Sequence, residues 1–248
     1  MPGRLFRFPI RTMSLLIAAA LLMLGLNIGT SNAAAFAEHI CDITADAALG
    51  IEDYPAAIAL HRSFLRSHPN NALAHYHLGF AYGMTGRSSH EISEYLKAAS
   101  LGLREWDLFL NLGVAYLDQG DDPNAVEALE TSVSLGPQHV EAHFNLALAY
   151  EKADRLSDAM RQIIASLQIA PADLDMRNTK AIICAESGDL RCAHDEWALL
   201  LRIAPNYAPA RVNLAILMGA SPKSYPSLPN TIEVPQLVAS GGWSSSGQ

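Results

Sequence analysis

The sequence predicts an all-α protein, an α-solenoid of about five helical hairpins closed by a C-terminal capping helix. Three observations carry that expectation. A small residue recurs every 34 positions, at Ala45, Gly79, Gly113, Ala147, Ala181 and Ala215. Other columns keep the same step: Leu one residue before the small one, Tyr three after, Gly seven after, Ala twelve after and Pro twenty-four after. The composition, 50% hydrophobic and 17% charged with abundant Ala, suits helices that approach closely. A fixed period of this length marks a repeat architecture, in which each unit buries its apolar face against its neighbours.

The chain begins with an export signature. Arg4, Arg7 and Arg11 precede an uncharged run from Met13 to Ile28 and a small-residue stretch ending at Ala37. A basic start, an apolar middle and an A-x-A end describe a secretory signal peptide over residues 1–37. The expected location is periplasmic or secreted, the alternative being an inner-membrane anchor at residues 13–28. In that case the membrane is met only through an uncleaved N-terminal segment. Residues 38–248 hold 14 basic against 25 acidic residues, a net charge of −11 where the whole chain carries −8. So acidic a chain offers no basic face to phosphates, which excludes nucleic acid as the main partner.

Five units follow, at 38–71, 72–105, 106–139, 140–173 and 174–207, with the capping helix at 208–218. In each, the small residue lets two helix axes approach. Leu78, Leu112, Leu146 and Leu214 share a helix face with Tyr82, Tyr116 and Tyr150. Gly86, Gly120 and Gly188 end the first helix where the chain turns. Ala57, Ala125, Ala159 and Ala193 place a small residue in the second helix, with Glu91 as the exception. Pro69, Pro137, Pro171 and Pro205 fall where that helix has ended. The first unit departs most, with Thr44, Ala48 and Glu52 in the Leu, Tyr and Gly columns. The fifth has Lys180 and Cys184 in the Leu and Tyr columns. Residues 220–248, rich in Pro, Ser and Gly, read as a disordered tail.

The stretches His75–Tyr82, Leu110–Tyr116 and Phe144–Tyr150 carry the pattern of the tetratricopeptide repeat, and the chain resembles that family from about Glu38 to Gly219. The resemblance implies a right-handed superhelix whose first helices line a concave groove for a partner segment. Carried over by register, the groove positions are Tyr76, His77, Phe80, Leu110, Asn111, Val114, Phe144, Asn145, Leu148, Asn178 and Ile182. Members that hold a partner's C-terminal carboxylate use Lys and Arg on these helices. Here Asp42, Tyr76, Leu110, Asp107 and Glu141 stand at or near those places, so a chaperone-type clamp is not implied. The spacing of Cys184 and Cys192 resembles the cysteine pairs that staple hairpins in secreted Sel1-like repeats, which implies a disulfide; two small buried thiols are the alternative.

The expected function is a non-enzymatic scaffold for a protein or peptide partner, serving a secretion, pilus or cell-wall assembly. Self-association into a homo-oligomer, through the tail or the solenoid ends, is the alternative. No phosphate-binding glycine loop, G-x-S-x-G or H-E-x-x-H is present. No cofactor, metal or small-molecule substrate is therefore expected. His75 and His77 face different sides of a helix, and His139 and His143 lack a third ligand. Cys41 stands apart from the other two cysteines and is assigned no role.

Overall fold

The computed structural model describes residues 41–219, and the export segment at 1–37 and the tail at 220–248 lie outside them. The described residues fall into two compact units, 41–135 and 136–219. All the regular structure among them is helical. The first unit contains α1 (Ile43–Gly50), α2 (Tyr54–Ser67), α3 (Ala72–Met84), α4 (Ser88–Ser100), α5 (Trp106–Gln119) and α6 (Asp122–Leu135). The second contains α7 (Val140–Lys152), α8 (Leu156–Ile169), α9 (Leu174–Glu186), α10 (Leu190–Ile203) and α11 (Ala208–Leu217). None of these helices is long and apolar enough to cross a membrane.

Side-chain caps set where many of the helices begin. The carboxylate of Asp42 accepts from the Thr44 and Ala45 amides, and Asp53, Asn71, Asp173 and Asp189 each cap the amide three residues on. Each such cap satisfies a backbone donor that the helix itself leaves free and contributes about 1 kcal/mol. Pro55 and Pro209 occupy first turns, where a missing amide costs nothing.

The turn inside each hairpin is one device repeated. The amides of Asp53, Arg87, Asp121, Arg155 and Asp189 donate to the carbonyls of Ala48, Tyr82, Tyr116, Tyr150 and Cys184, at 2.8–3.0 Å. Such a closure needs the residue just before the donor in the left-handed region. Gly86, Gly120 and Gly188 supply it with φ of 74°, 75° and 79°. The same place in the other two hairpins is held by Glu52, φ 62°, and Asp154, φ 57°. Register imposes the conformation there even where the side chain resists it.

The seam between the two helices of a hairpin explains the 34-residue column. A Cβ on Gly79 would lie 2.7 Å from two ring atoms of Tyr95, and one on Gly113 would lie 2.5 Å from Leu129 Cγ. Tyr95 and Leu129 stand sixteen residues after those glycines. The residues so placed in the five hairpins, His61, Tyr95, Leu129, Ile163 and Trp197, are all fully buried. Small and large side chains thus oppose each other across the seam, as close packing demands.

Candidate functional site

The residues assigned to a groove occupy a more interior place than groove contacts need. Tyr76, His77, Phe80, Leu110, Asn111, Val114, Phe144, Asn145, Asn178 and Ile182 are all buried, and Leu148 is half-buried. Several have partners within the protein. Asn111 Nδ2 donates to the Tyr76 hydroxyl at 3.2 Å. Burial, then the Asp107 charge, pushes the Tyr76 phenol well above its ordinary value, so it remains a neutral donor to that carboxylate. Asn178 Oδ1 accepts from Trp197 Nε1 at 3.0 Å and from Asn213 Nδ2 at 3.3 Å. Asn145 Nδ2 donates to the Glu141 carbonyl, one turn back on α7. Asn111 and Asn178 thus bond side chains on other helices and Asn145 a carbonyl of its own helix, instead of holding these groups out to a bound backbone.

His75 and His143 form equivalent latches. One ring nitrogen of each meets the carbonyl of Pro69 or Pro137 at 3.0 Å, and the other meets Glu94 or Gln162 at 2.6 and 2.7 Å. Arg177 repeats the motif, donating to the Pro171 carbonyl and pairing with Glu196. These side chains therefore pin the start of each first helix to its own second helix.

Cys184 and Cys192 are joined in a disulfide, with Cα atoms 5.8 Å apart, across the turn between α9 and α10. The bridge crosses the left-handed closure at Gly188. A covalent staple there replaces the Tyr packing found at the same turn of other repeats. At Tyr82 and Tyr150 the ring is covered by Arg87 and Arg155, whose Cζ atoms lie 5.8 and 4.3 Å from the ring centroids.

The structure also assembles a group that sequence reasoning left scattered. Cys41, Asp46, His61 and His77 each offer one ligand atom, and the four atoms lie within 4.8 Å of one another. Asp46 Oδ1 is the hub: His77 Nδ1 lies 2.7 Å from it, His61 Nε2 3.1 Å and Cys41 Sγ 3.4 Å. Cys41 Sγ is 3.6 Å from His77 Nδ1. The side chains of Asp46, His61 and His77 are at most 3% exposed, while Cys41 is half-buried. The two imidazole rings meet edge to face, 5.5 Å between centroids.

Each member is placed by a different element. Cys41 precedes α1, Asp46 lies in its first turn, His61 is in α2 and His77 in α3. His61 Nδ1 donates to the Ala57 carbonyl at 2.9 Å, which turns Nε2 toward the cluster. Burial by itself would raise the Asp46 carboxyl. Hydrogen bonds from His61 and His77, and their charge, outweigh it and hold the group below the usual carboxylate range. Burial, then the Asp46 charge, drives the Cys41 thiol the other way, upward. No metal is expected from the sequence, yet four side chains of ligating type converge here. His77 faces α1 and α2, and its companions are His61 and Cys41 rather than His75. A signal was present in register. His61 holds the column of Tyr95, Leu129, Ile163 and Trp197, and Asp46 that of Phe80, Val114, Leu148 and Ile182. Two polar ligand types stand where the other repeats place large apolar ones.

Antiparallel helical hairpins in tandem, with a small-residue seam and a left-handed closure at one place in each, define a helical repeat protein. The tetratricopeptide repeat family matches residues 44–104 and 110–174, and the chain belongs to that family. No curated protein matches the sequence. Solved structures share the fold at low identity. YrrB, described as a TPR protein with an unusual peptide-binding site, has 20% identity and a TM-score of 0.65, covering 73% of this chain and 94% of its own. A MamA structure has 20% identity and a TM-score of 0.62, covering 66% and 90%. MamA from Desulfovibrio magneticus RS-1 has 14% identity and a TM-score of 0.60, covering 82% and 99%.

Proposed function

We propose that this protein is an exported, non-enzymatic scaffold that binds a segment of a protein partner along its first helices. The observation that carries the reading is the tandem family match over 44–104 and 110–174, on hairpins that keep the repeat's turn and seam. The family is one of interaction repeats rather than of catalysts, and YrrB is described as binding peptide. The basic, apolar and small-residue order of residues 1–37 supports export. The acidic balance favours a basic or neutral apolar partner.

With ten of the assigned groove side chains buried, the accessible member is Leu148 on α7. Immobilised protein is used to capture partners from an envelope extract, and retention is compared between two variants. Leu148→Glu on the first helix is expected to weaken capture about tenfold or more, the cost of losing one desolvated anchor. Ile164→Glu on α8, exposed at 42%, is expected to leave it intact. Equal retention by both folded variants overturns binding along the first helices. Recovery of the chain from the cytoplasmic fraction with residues 1–37 still attached overturns export.

A further inference from the structure

We propose that Cys41 Sγ, Asp46 Oδ1, His61 Nε2 and His77 Nδ1 bind one divalent zinc-type ion in a tetrahedral shell that clips the first repeat together. Two lines of observation, geometry and register, lead there independently.

Geometry comes first. Zinc bonds of about 2.0–2.3 Å at tetrahedral angles set neighbouring donor atoms roughly 3.3–3.6 Å apart. The cluster shows 3.6 Å for Cys41 to His77, 3.4 Å for Cys41 to Asp46 and 3.1 Å for His61 to Asp46. Of these four separations, the 2.7 Å between His77 and Asp46 is the one that must widen appreciably, and the remaining two pairs lie within 4.8 Å. Four donors already converge, so few side-chain torsions have to be ordered on binding. The His61 ring is oriented by its Nδ1–H bond to the Ala57 carbonyl, the outer contact that ligating histidines ordinarily have. Cys41, the half-buried member, provides the path of entry.

Donor chemistry selects the ion. A thiolate, two imidazoles and one carboxylate form a borderline-soft set that suits zinc and its neighbours in the transition series. Calcium and magnesium take shells of oxygen donors and would leave the sulfur and both nitrogens poorly used. On binding, the thiol gives up its proton to solvent, and the proton that His61 Nε2 shares with Asp46 leaves likewise. That of His77 Nδ1 leaves or passes to Nε2, and the ion takes their place as the positive charge facing Asp46.

Register is the second line. His61 and Asp46 occupy columns that hold large aliphatic or aromatic residues in the following repeats. His77 occupies a column that is polar throughout, as Asn111, Asn145, Thr179 and Asn213. The first repeat lacks the Leu, Tyr and Gly of the family pattern and has an α1 of only 8 residues. An ion bound by residue 41, α1, α2 and α3 would join that short helix to both of its neighbours, offsetting what its apolar contacts lack.

The test uses the purified chain under mild reduction, with cobalt(II) as a spectroscopic probe and zinc as competitor. One equivalent of cobalt is expected to give intense visible bands of a tetrahedral centre and a near-ultraviolet thiolate-to-cobalt band. One equivalent of zinc should abolish both. Cys41→Ser should remove the thiolate band and weaken zinc binding about tenfold or more, and His77→Gln should weaken it likewise. His194→Gln, on the surface of α10, should change neither. The proposal is overturned if the unaltered protein gives no tetrahedral cobalt spectrum. It is equally overturned if that spectrum survives unchanged in Cys41→Ser. Because the unaltered protein decides the first point, a variant that fails to fold leaves the proposal falsifiable.

Discussion

Gly79→Ala sets two opposing magnitudes against each other. In a helix interior, Ala is worth about 1 kcal/mol more than Gly, so on propensity alone the substitution stabilises α3. The seam opposes it. The new Cβ would stand 2.7 Å from both Cδ1 and Cε1 of Tyr95 and 3.2 Å from the Glu91 carbonyl oxygen. Tyr95 is fully buried, so its ring has no free space into which to swing, and the carbonyl belongs to the backbone of α4. Overpacking of a rigid core site costs about 1–3 kcal/mol, and a clash against both a ring and a backbone atom belongs in the upper part of that range. The net expectation is destabilisation by about 1–2 kcal/mol. Urea unfolding followed by circular dichroism reads this as a lower midpoint at unchanged slope. A second variant, Tyr95→Ile, recreates the Ala147 and Ile163 pairing of the fourth repeat when combined with Gly79→Ala. The double variant should cost less than the two single changes added together, because the clash is relieved. A Gly79→Ala protein as stable as the parent, or more so, would refute the account of the 34-residue column as a steric seam.

Three further outcomes are expected. Glu52→Gly should stabilise the protein by about 0.5–1 kcal/mol, because a non-glycine side chain at φ 62° is strained and glycine is not, and Asp154→Gly should gain less, since Asp tolerates that region better; thermal unfolding of both variants checks the order. Breaking the Cys184–Cys192 bridge by Cys192→Ser should cost about 2–3 kcal/mol from the entropy of its short loop, and unreduced protein treated with an alkylating agent should carry no label on that peptide. Partial desolvation, then the charges of Glu151 and Asp154, pushes the Glu186 carboxyl up from 4.5 to about 7. The fold therefore favours its protonated form, and stability present at low pH should decline as pH rises from 4.5 to about 7, by less than about 1 kcal/mol because Glu186 is solvent-exposed and screened. Glu186→Gln should flatten that decline in urea midpoints measured across the interval.

The repeat was legible because its physics is local and recurrent. A helix seam admits only a small residue, a left-handed closure prefers glycine, and a helix end accepts proline, so each constraint is written once per unit. Helices starting at Ala72, Trp106, Val140 and Leu174 keep the 34-residue step seen in the sequence. The site was less legible. Tyr76, Phe80 and Val114 are apolar or aromatic on first helices, and side chains of that kind serve a groove or an interior equally well. Their burial depends on how the neighbouring helices are set, which no spacing along one helix encodes.

The cluster at the first repeat shows where that limit lies. Cys41, Asp46, His61 and His77 lie up to 36 positions apart in sequence on four structural elements, and they fit no ligand spacing along the chain. What the sequence by itself determined is the all-α repeat class, its period and its family, because those follow from patterns that recur at one interval. Only the tertiary structure decided which polar side chains converge. Two hairpin helices and the first helix of the next repeat bring donors distant in sequence within a few ångströms, and that proximity arises from packing rather than periodicity.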